Sequence, residues 1–140
     1  MPVSHASVEL LAPVEDVWRY LSEPYHLADW WPGVGTVEPD RRGLAHGARW
    51  SVRTSEASLF RRAEAEDTLL VTRVEPESRF AFELVRAKIR AELTLAPAAG
   101  DRTRAELRVH ERFSLGFARG RRAKDALDRL YDLVQTGAVL

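Results

Sequence analysis

The chain has 140 residues, of which 45% are hydrophobic, and this predicts one folded domain over residues 1–140 rather than a disordered chain. Its 21 lysines and arginines balance 21 aspartates and glutamates, and this zero net charge argues against a dedicated nucleic-acid-binding protein. The lack of cysteine excludes disulfides, thiolate zinc sites and thiol catalysis. Because the sequence has no long apolar run and no N-terminal signal pattern, we expect a cytoplasmic protein without membrane insertion.

The N-terminal part of the sequence predicts one strand followed by two short helices. Polar and apolar residues alternate from Ser4 to Leu10, which is typical of a strand with one buried face. Pro13 and the two acidic residues after it favour the start of a helix over residues 13–21. A second short helix is predicted over residues 25–31, because Pro32 and Gly33 end it.

The middle of the chain predicts six further strands, since period-two alternation recurs there between turn residues. These strands cover residues 34–39, 47–55, 68–75, 79–86, 88–96 and 103–113. Residues 56–67 are compatible with a strand extension, a helical turn or a loop. The short turns between successive strands indicate an antiparallel meander with one buried and one solvated face.

The last predicted element is an amphipathic helix over residues 118–137, with apolar residues on one stripe and charged residues on the other. The apolar stripe of this helix and the apolar face of the sheet must both be buried, and they can be buried against each other. We therefore predict an α+β fold, in which a curved seven-stranded antiparallel sheet wraps around the long C-terminal helix and two short helices follow the first strand. Such a sheet does not pack perfectly at both ends, so a pocket is expected where inward side chains such as Ala91 are small.

Two stretches of the sequence resemble a known superfamily. The first stretch is residues 8–34, VELLAPVEDVWRYLSEPYHLADWWPGV. It is similar to the superfamily's apolar strand followed by Ala-Pro, Val-Trp and a Trp-Pro corner. The second stretch is residues 71–84, VTRVEPESRFAFEL, which is similar to the superfamily's Pro-containing turn between two central strands. Together with the order of the predicted elements, these residues resemble the helix-grip fold of the START and birch-allergen-like superfamily, SRPBCC, and most closely its bacterial polyketide cyclase/dehydrase-like branch.

The resemblance implies a cavity for a hydrophobic or aromatic small molecule between the sheet and the C-terminal helix. Carriers of lipids and sterols, hormone receptors, quinone-binding proteins, polyketide cyclases and oxygenase domains all share this fold, so the fold alone does not identify the function. The sequence departs from two subtypes. The loop over residues 41–47 lacks the lysine-bearing glycine-rich loop of the plant allergens, and the iron-binding set of the oxygenase domains is missing.

Side chains predicted to face the cavity form the candidate binding site. Aromatic rings at such positions fill an ordinary core, but in a helix-grip fold they also form a cavity wall. The predicted set comprises Trp30, Trp50, Phe80, Phe82, Leu84, Arg86, Leu93, Val109, Glu111, Phe113, Leu127 and Tyr131.

Glu111 is the candidate catalytic residue, because its parity places a carboxylate on the apolar face of the last strand. Burial there would raise the pKa of the carboxyl group, as general acid–base catalysis requires. The same residue could instead orient a ligand, pair with an arginine such as Arg86, or turn into solvent. Asp29 is interpreted as a helix-end or loop partner.

The remaining polar residues predict neither a metal site nor a cofactor. The four histidines are scattered, and His110 should face away from the core. A basic run over residues 119–124 opens the last helix, where cations are unfavourable unless another group holds them. It is either a solvated face or a docking patch.

We hypothesise that the chain is a monomer or homodimer that binds a hydrophobic small molecule as a carrier. The alternatives are a polyketide cyclase, aromatase or dehydratase that uses Glu111 or Tyr131, and an interaction module that uses the basic run over residues 119–124.

Overall fold

The computed structural model describes residues 3–57, 62–111 and 121–135. These residues form seven strands and three α-helices, with a 3₁₀ turn at Pro24–His26 between the first two helices. In chain order they are β1 (Val3–Leu10), α1 (Val14–Leu21), α2 (Leu27–Trp30), β2 (Val34–Glu38), β3 (Arg49–Ala57), β4 (Arg62–Glu75), β5 (Arg79–Leu84), β6 (Ile89–Ala98), β7 (Arg102–Glu111) and α3 (Arg122–Gln135).

All seven strands belong to one antiparallel sheet, in the order β1-β7-β6-β5-β4-β3-β2. Strands β2 to β7 form the predicted meander, and β1 pairs with β7 at the far edge. The pairing shifts by one residue between Val34 and Thr36 and again between Val71 and Arg73. Such bulges increase the local twist and bend the strand.

The three helices bury one face of this sheet, which we call the inner face. Helix α3 contacts β1, β7 and α2, while α1 contacts β6 and β7. Along β7 the inward residues Ala105, Leu107 and Val109 are fully buried, whereas Arg104 and Arg108 on the outer face are exposed. The helix-grip fold class is confirmed. The apolar residues that alternate with polar ones along the sequence are the residues that the inner face of the sheet buries.

Two of the differences between the predicted and the observed element boundaries bear on the candidate site. Residues 62–67 continue β4, so that this part of the ambiguous segment is a strand. Strand β5 ends at Leu84 rather than at residue 86, because residues 85–88 form a turn in which Lys88 has a φ of 59°. The predicted ends of the last strand and last helix lie outside the described residues.

The loop between β2 and β3 is held by polar contacts to its own backbone. The carboxylate of Asp40 accepts hydrogen bonds from the backbone N–H groups of Arg42 and Arg49, both at 2.9 Å. These N–H groups, that of Arg49 above all, hold the pKa of Asp40 below its ordinary value. The indole Nε1 of Trp50 donates a hydrogen bond of 2.8 Å to the carbonyl oxygen of Gly43. The loop is thereby fixed to a core tryptophan.

Candidate ligand-binding site

The inner face of the sheet is built from rows of side chains that lie side by side across neighbouring strands. In one row, the paired residues run from Trp50 on β3 through β4 and β5 to Ile89 and Glu111 at the ends of β6 and β7. In the next row, Phe82 is followed by Ala91 and Val109. The register therefore places one carboxylate at the end of an apolar row.

A chain of five aromatic rings crosses the interior from α2 to β3. Trp30 and Trp31 meet edge to face at 5.8 Å between ring centroids, and Trp31 meets Phe82 in the same way at 5.1 Å. Phe82 lies 5.2 Å from Phe80, which lies 6.1 Å from Trp50. All four separations fall within the range of favourable aromatic pairs. The set of residues predicted to face the cavity contains Trp30 but not Trp31, its neighbour in this chain of rings.

The five rings fill the space that they enclose. Each exposes only 1% of its surface, and a ring that bordered a water-sized void would expose more. Leu84, Leu93, Val109 and Leu127 of the predicted set are at most 2% exposed, and Tyr131 packs half-buried against the same hydrophobic core. A ligand that reaches these residues must therefore displace a side chain or move α3 away from the sheet.

Glu111 is buried, as its parity predicts, but its partner is Arg122 in the first turn of α3. The Nε of Arg122 donates a hydrogen bond of 2.8 Å to Oε1 of Glu111. The side chain of Glu111 is 8% exposed and that of Arg122 is 24% exposed. No other described residue donates a hydrogen bond to Glu111, so its Oε2 can still accept one from a ligand.

The Glu111–Arg122 pair also explains how α3 tolerates cations at its N-terminus. Lys124 forms a second ion pair, at 2.6 Å, with Asp128 one turn later. The backbone N–H of Ala123 donates to Oγ of buried Ser4 on β1 at 3.3 Å, which attaches the same turn to the edge of the sheet. In the described part of the basic run, Arg122 and Lys124 are thus held by carboxylates of this chain, and Arg121 is exposed.

Arg86 is not on the inner face, and the prediction that it points inward with Leu84 was wrong. Strand alternation stops at Leu84, and Arg86 lies exposed in the turn between β5 and β6. The turn is held by buried Asp67, whose carboxylate accepts hydrogen bonds from the backbone N–H groups of Arg86 at 2.7 Å and Ala87 at 2.9 Å. Phe113 lies outside the described residues.

Asp29 is a local partner, as the sequence indicates. The hydroxyl of Tyr20 donates to Oδ2 of Asp29 at 3.4 Å, and the Tyr20 ring stacks on His26 at 4.1 Å. Burial, and then the negative charge of Asp29, raises the pKa of Tyr20 well above its ordinary value. His110 lies on the outer face, beside Arg90 in the register, as its parity predicts.

The described residues contain no cluster of three or more histidine, aspartate or glutamate side chains that could hold a metal ion. In the same residues, no helix is long and apolar enough to span a bilayer.

The fold and the apolar inner face define the class of protein: an α+β domain of the helix-grip type, with helices covering one side of an antiparallel sheet. The family model described as "Polyketide cyclase / dehydrase and lipid transport" matches residues 1–135. The chain therefore belongs to this family, and the resemblance seen in residues 8–34 and 71–84 is confirmed. A search of curated protein sequences finds no match.

Solved structures with the same fold cover nearly the whole chain at low sequence identity. Protein DR_A0006 from Deinococcus radiodurans is 18% identical with a TM-score of 0.72, over 96% of this chain and 98% of its own. An AHSA1-like protein from Aeromonas hydrophila is 21% identical with a TM-score of 0.69, over 97% of this chain and 95% of its own.

A third structure is DynU16, a protein of the dynemicin biosynthetic locus. It is 19% identical with a TM-score of 0.65, over 98% of this chain but 48% of its own. At these identities the three structures show the fold and not the function.

Proposed function

We propose that this protein binds a small apolar or aromatic molecule between the inner face of the sheet and α3, as a carrier or binding protein. The observation that carries the proposal is the row that ends in Glu111, an apolar surface with one ion pair at its end. Small-molecule sites have this composition, since apolar walls supply affinity and a few polar groups set orientation. The family description, which names lipid transport and polyketide cyclases, supports a ligand of the same kind.

The end of the interior near Glu111 is the proposed position of the ligand's polar group. The opposite end is filled by the five rings, whereas Arg122 is partly exposed beside the carboxylate. A ligand hydroxyl would donate to Oε2 of Glu111, or a ligand anion would accept from the partly exposed Arg122 beside it. The apolar part of the ligand would lie along Ile89 and Leu84. Because the residues of that row are buried, we expect binding to require α3 to shift or a side chain to rotate.

The experiment uses two probes, cis-parinaric acid as a fluorescent fatty acid and 1-anilinonaphthalene-8-sulfonate as an aromatic anion. We expect saturable binding of at least one probe, with one molecule per chain in native mass spectrometry. Ala91→Phe should weaken that binding about tenfold or more, because a ring added between Phe82 and Val109 occupies the interior.

The matched control is Ala96→Phe, which adds the same ring to the exposed face of the same strand. It should leave probe binding unchanged. If Ala91→Phe does not fold, Ala91→Leu is the milder version of the same change. The proposal is contradicted if neither probe binds the native protein, or if the inner and outer variants bind equally well.

A second candidate function is the cyclization or dehydration of a polyketide, and the burial of Glu111 favours it. A buried carboxylate with one oxygen that accepts no hydrogen bond from the described residues is suited to accept a proton from a carbon next to a carbonyl group. Glu111→Gln should then abolish turnover of a poly-β-ketone substrate while probe binding remains. Unchanged turnover would remove Glu111 from the mechanism.

A further inference from the structure

The outer face of the sheet carries a groove of about 390 Å³ across β2, β3 and β4, on the side away from the helices. The strand residues whose side chains point to this face lie in two rows. Glu38, Ser51 and Thr68 are paired in one row, and Thr36, Arg53 and Glu66 are paired in the next. The volume lies within the range of small-molecule sites.

One wall of the groove is the turn between β5 and β6, and this wall is held in place without a ligand. The backbone N–H of Val85 donates to the carbonyl oxygen of Thr68 at 3.0 Å. Asp67 is 8% exposed, and its carboxylate accepts hydrogen bonds from the backbone N–H groups of Thr68, Arg86 and Ala87 at 2.7 to 2.9 Å. A site that is already ordered loses little entropy when a ligand binds.

The groove has charges of opposite sign at its two ends. In its middle, Nη2 of Arg53 donates to Oε1 of Glu66 at 3.3 Å. Arg86 makes only a long side-chain contact, from Nη1 to the carbonyl oxygen of Glu66 at 3.4 Å. The carboxylate of Glu38 accepts no hydrogen bond and forms no ion pair with any other described residue. One exposed carboxylate and one exposed guanidinium are thus free to bind a ligand, with the hydroxyls of Ser51 and Thr68 between them.

The distance between the two ends sets the length of the ligand. From β2 to β4 and on to the turn that holds Arg86 there are three steps of about 4.8 Å, or roughly 14 Å in all. Because Glu38 and Arg86 both line the groove and their side chains take up part of this span, we expect the ligand's charges to be about 5–10 Å apart. This matches the separation of the termini in two or three extended residues, at about 3.5 Å each.

We propose that the outer groove is a second binding site, for a short zwitterion of the size of a di- or tripeptide. The ligand's carboxylate lies at Arg86, its ammonium group at Glu38, and its central amides at the hydroxyls of Ser51 and Thr68. The site is on the opposite face of the sheet from the proposed apolar site, so either could exist without the other.

The test titrates trialanine into ¹⁵N-labelled protein and follows amide chemical shifts. Saturable shifts should be confined to the groove residues, with a Kd of about 1 mM. N-acetyl-trialanine lacks the ammonium group and trialanine amide lacks the carboxylate, so each should bind about tenfold more weakly. Glu38→Gln and Arg86→Gln should each weaken trialanine binding by a similar factor.

Glu83→Gln and Arg90→Gln are the controls, because both residues lie on β5 and β6 outside the groove lining. They should leave the Kd unchanged, and none of the four variants should change cis-parinaric acid binding to the inner face. The proposal is overturned if trialanine shows no saturation up to about 10 mM. It is also overturned if its Kd is the same in Glu38→Gln, Arg86→Gln and the two controls.

Discussion

The ion pair between Glu111 and Arg122 attaches α3 to the last strand, and its removal tests how the C-terminal helix is held. In Arg122→Met the aliphatic part of the side chain is kept while the charged hydrogen bond of 2.8 Å is lost. The carboxylate, which is 8% exposed, is then left without its cation. We expect the variant to be less stable than the native protein.

The size of the loss follows from the exposure of the two side chains. Breaking a fully buried ion pair by removing one partner costs about 3–5 kcal/mol. Here Arg122 is 24% exposed, so water reaches the carboxylate in its absence, and we expect a loss of about 2–3 kcal/mol. For a chain of this length the melting temperature should fall by about 4–12 °C.

The assay is urea unfolding followed by circular dichroism, with a double-mutant cycle. Arg121→Met is the matched control, because it removes the neighbouring exposed arginine and should change the free energy of unfolding by less than about 0.5 kcal/mol. Glu111→Leu combined with Arg122→Met should recover most of the lost stability, since no buried charge remains. The reasoning is refuted if Arg122→Met and Arg121→Met are equally stable, or if the double variant is as unstable as Arg122→Met.

Three further predictions concern groups away from this pair. Because the pKa of Tyr20 is raised in the folded protein, the native protein should lose stability as the pH rises above about 10, and Tyr20→Phe should lose less over the same interval, as measured by thermal melts. Because the pKa of Asp40 is lowered, its carboxylate contributes fully to stability at a pH above its ordinary pKa of 3.8, and this contribution is lost at lower pH. When the pH is lowered, Asp40→Asn should therefore lose less of its free energy of unfolding than the native protein does. Thr103→Val removes the buried hydroxyl that donates a hydrogen bond of 2.8 Å to the carbonyl oxygen of Ala12, and should lower the free energy of unfolding by about 1–3 kcal/mol. Thr103→Ser keeps the hydroxyl and should retain most of this stability. Equal stability of the two variants would contradict this role of Thr103.

The two proposed sites occupy opposite faces of one sheet and differ in character. The inner face is apolar, closed by aromatic rings, and has its ion pair at the rim. The outer groove is open, polar and charged at both ends. A probe for one site is therefore a control for the other, and a variant that weakens binding of both would indicate general unfolding.

The sequence predicted the inner-face residues well because burial in a strand follows a local rule. Phe80, Phe82 and Leu84 alternate with Ala81 and Glu83, and the core residues of β6 and β7 alternate in the same way, so period two identifies the inward side chains. The rule failed at Arg86 because it holds only while the strand continues. Strand β5 ends at Leu84, and the turn after it is held by hydrogen bonds to the carboxylate of Asp67, which is distant in the sequence.

The order of the elements, the antiparallel meander, the amphipathic C-terminal helix and the burial of Glu111 were all determined by local patterns of residues in the chain. Tertiary structure alone decided which cation meets Glu111, which rings fill the interior, and that six polar residues of three strands line one groove on the outer face. The physical reason is that the period of the sequence pattern assigns a side chain to one face of its strand or helix, whereas the neighbours of that side chain depend on strand register and helix docking. Strand register and helix docking bring together residues that are distant along the chain, so local patterns do not predict them.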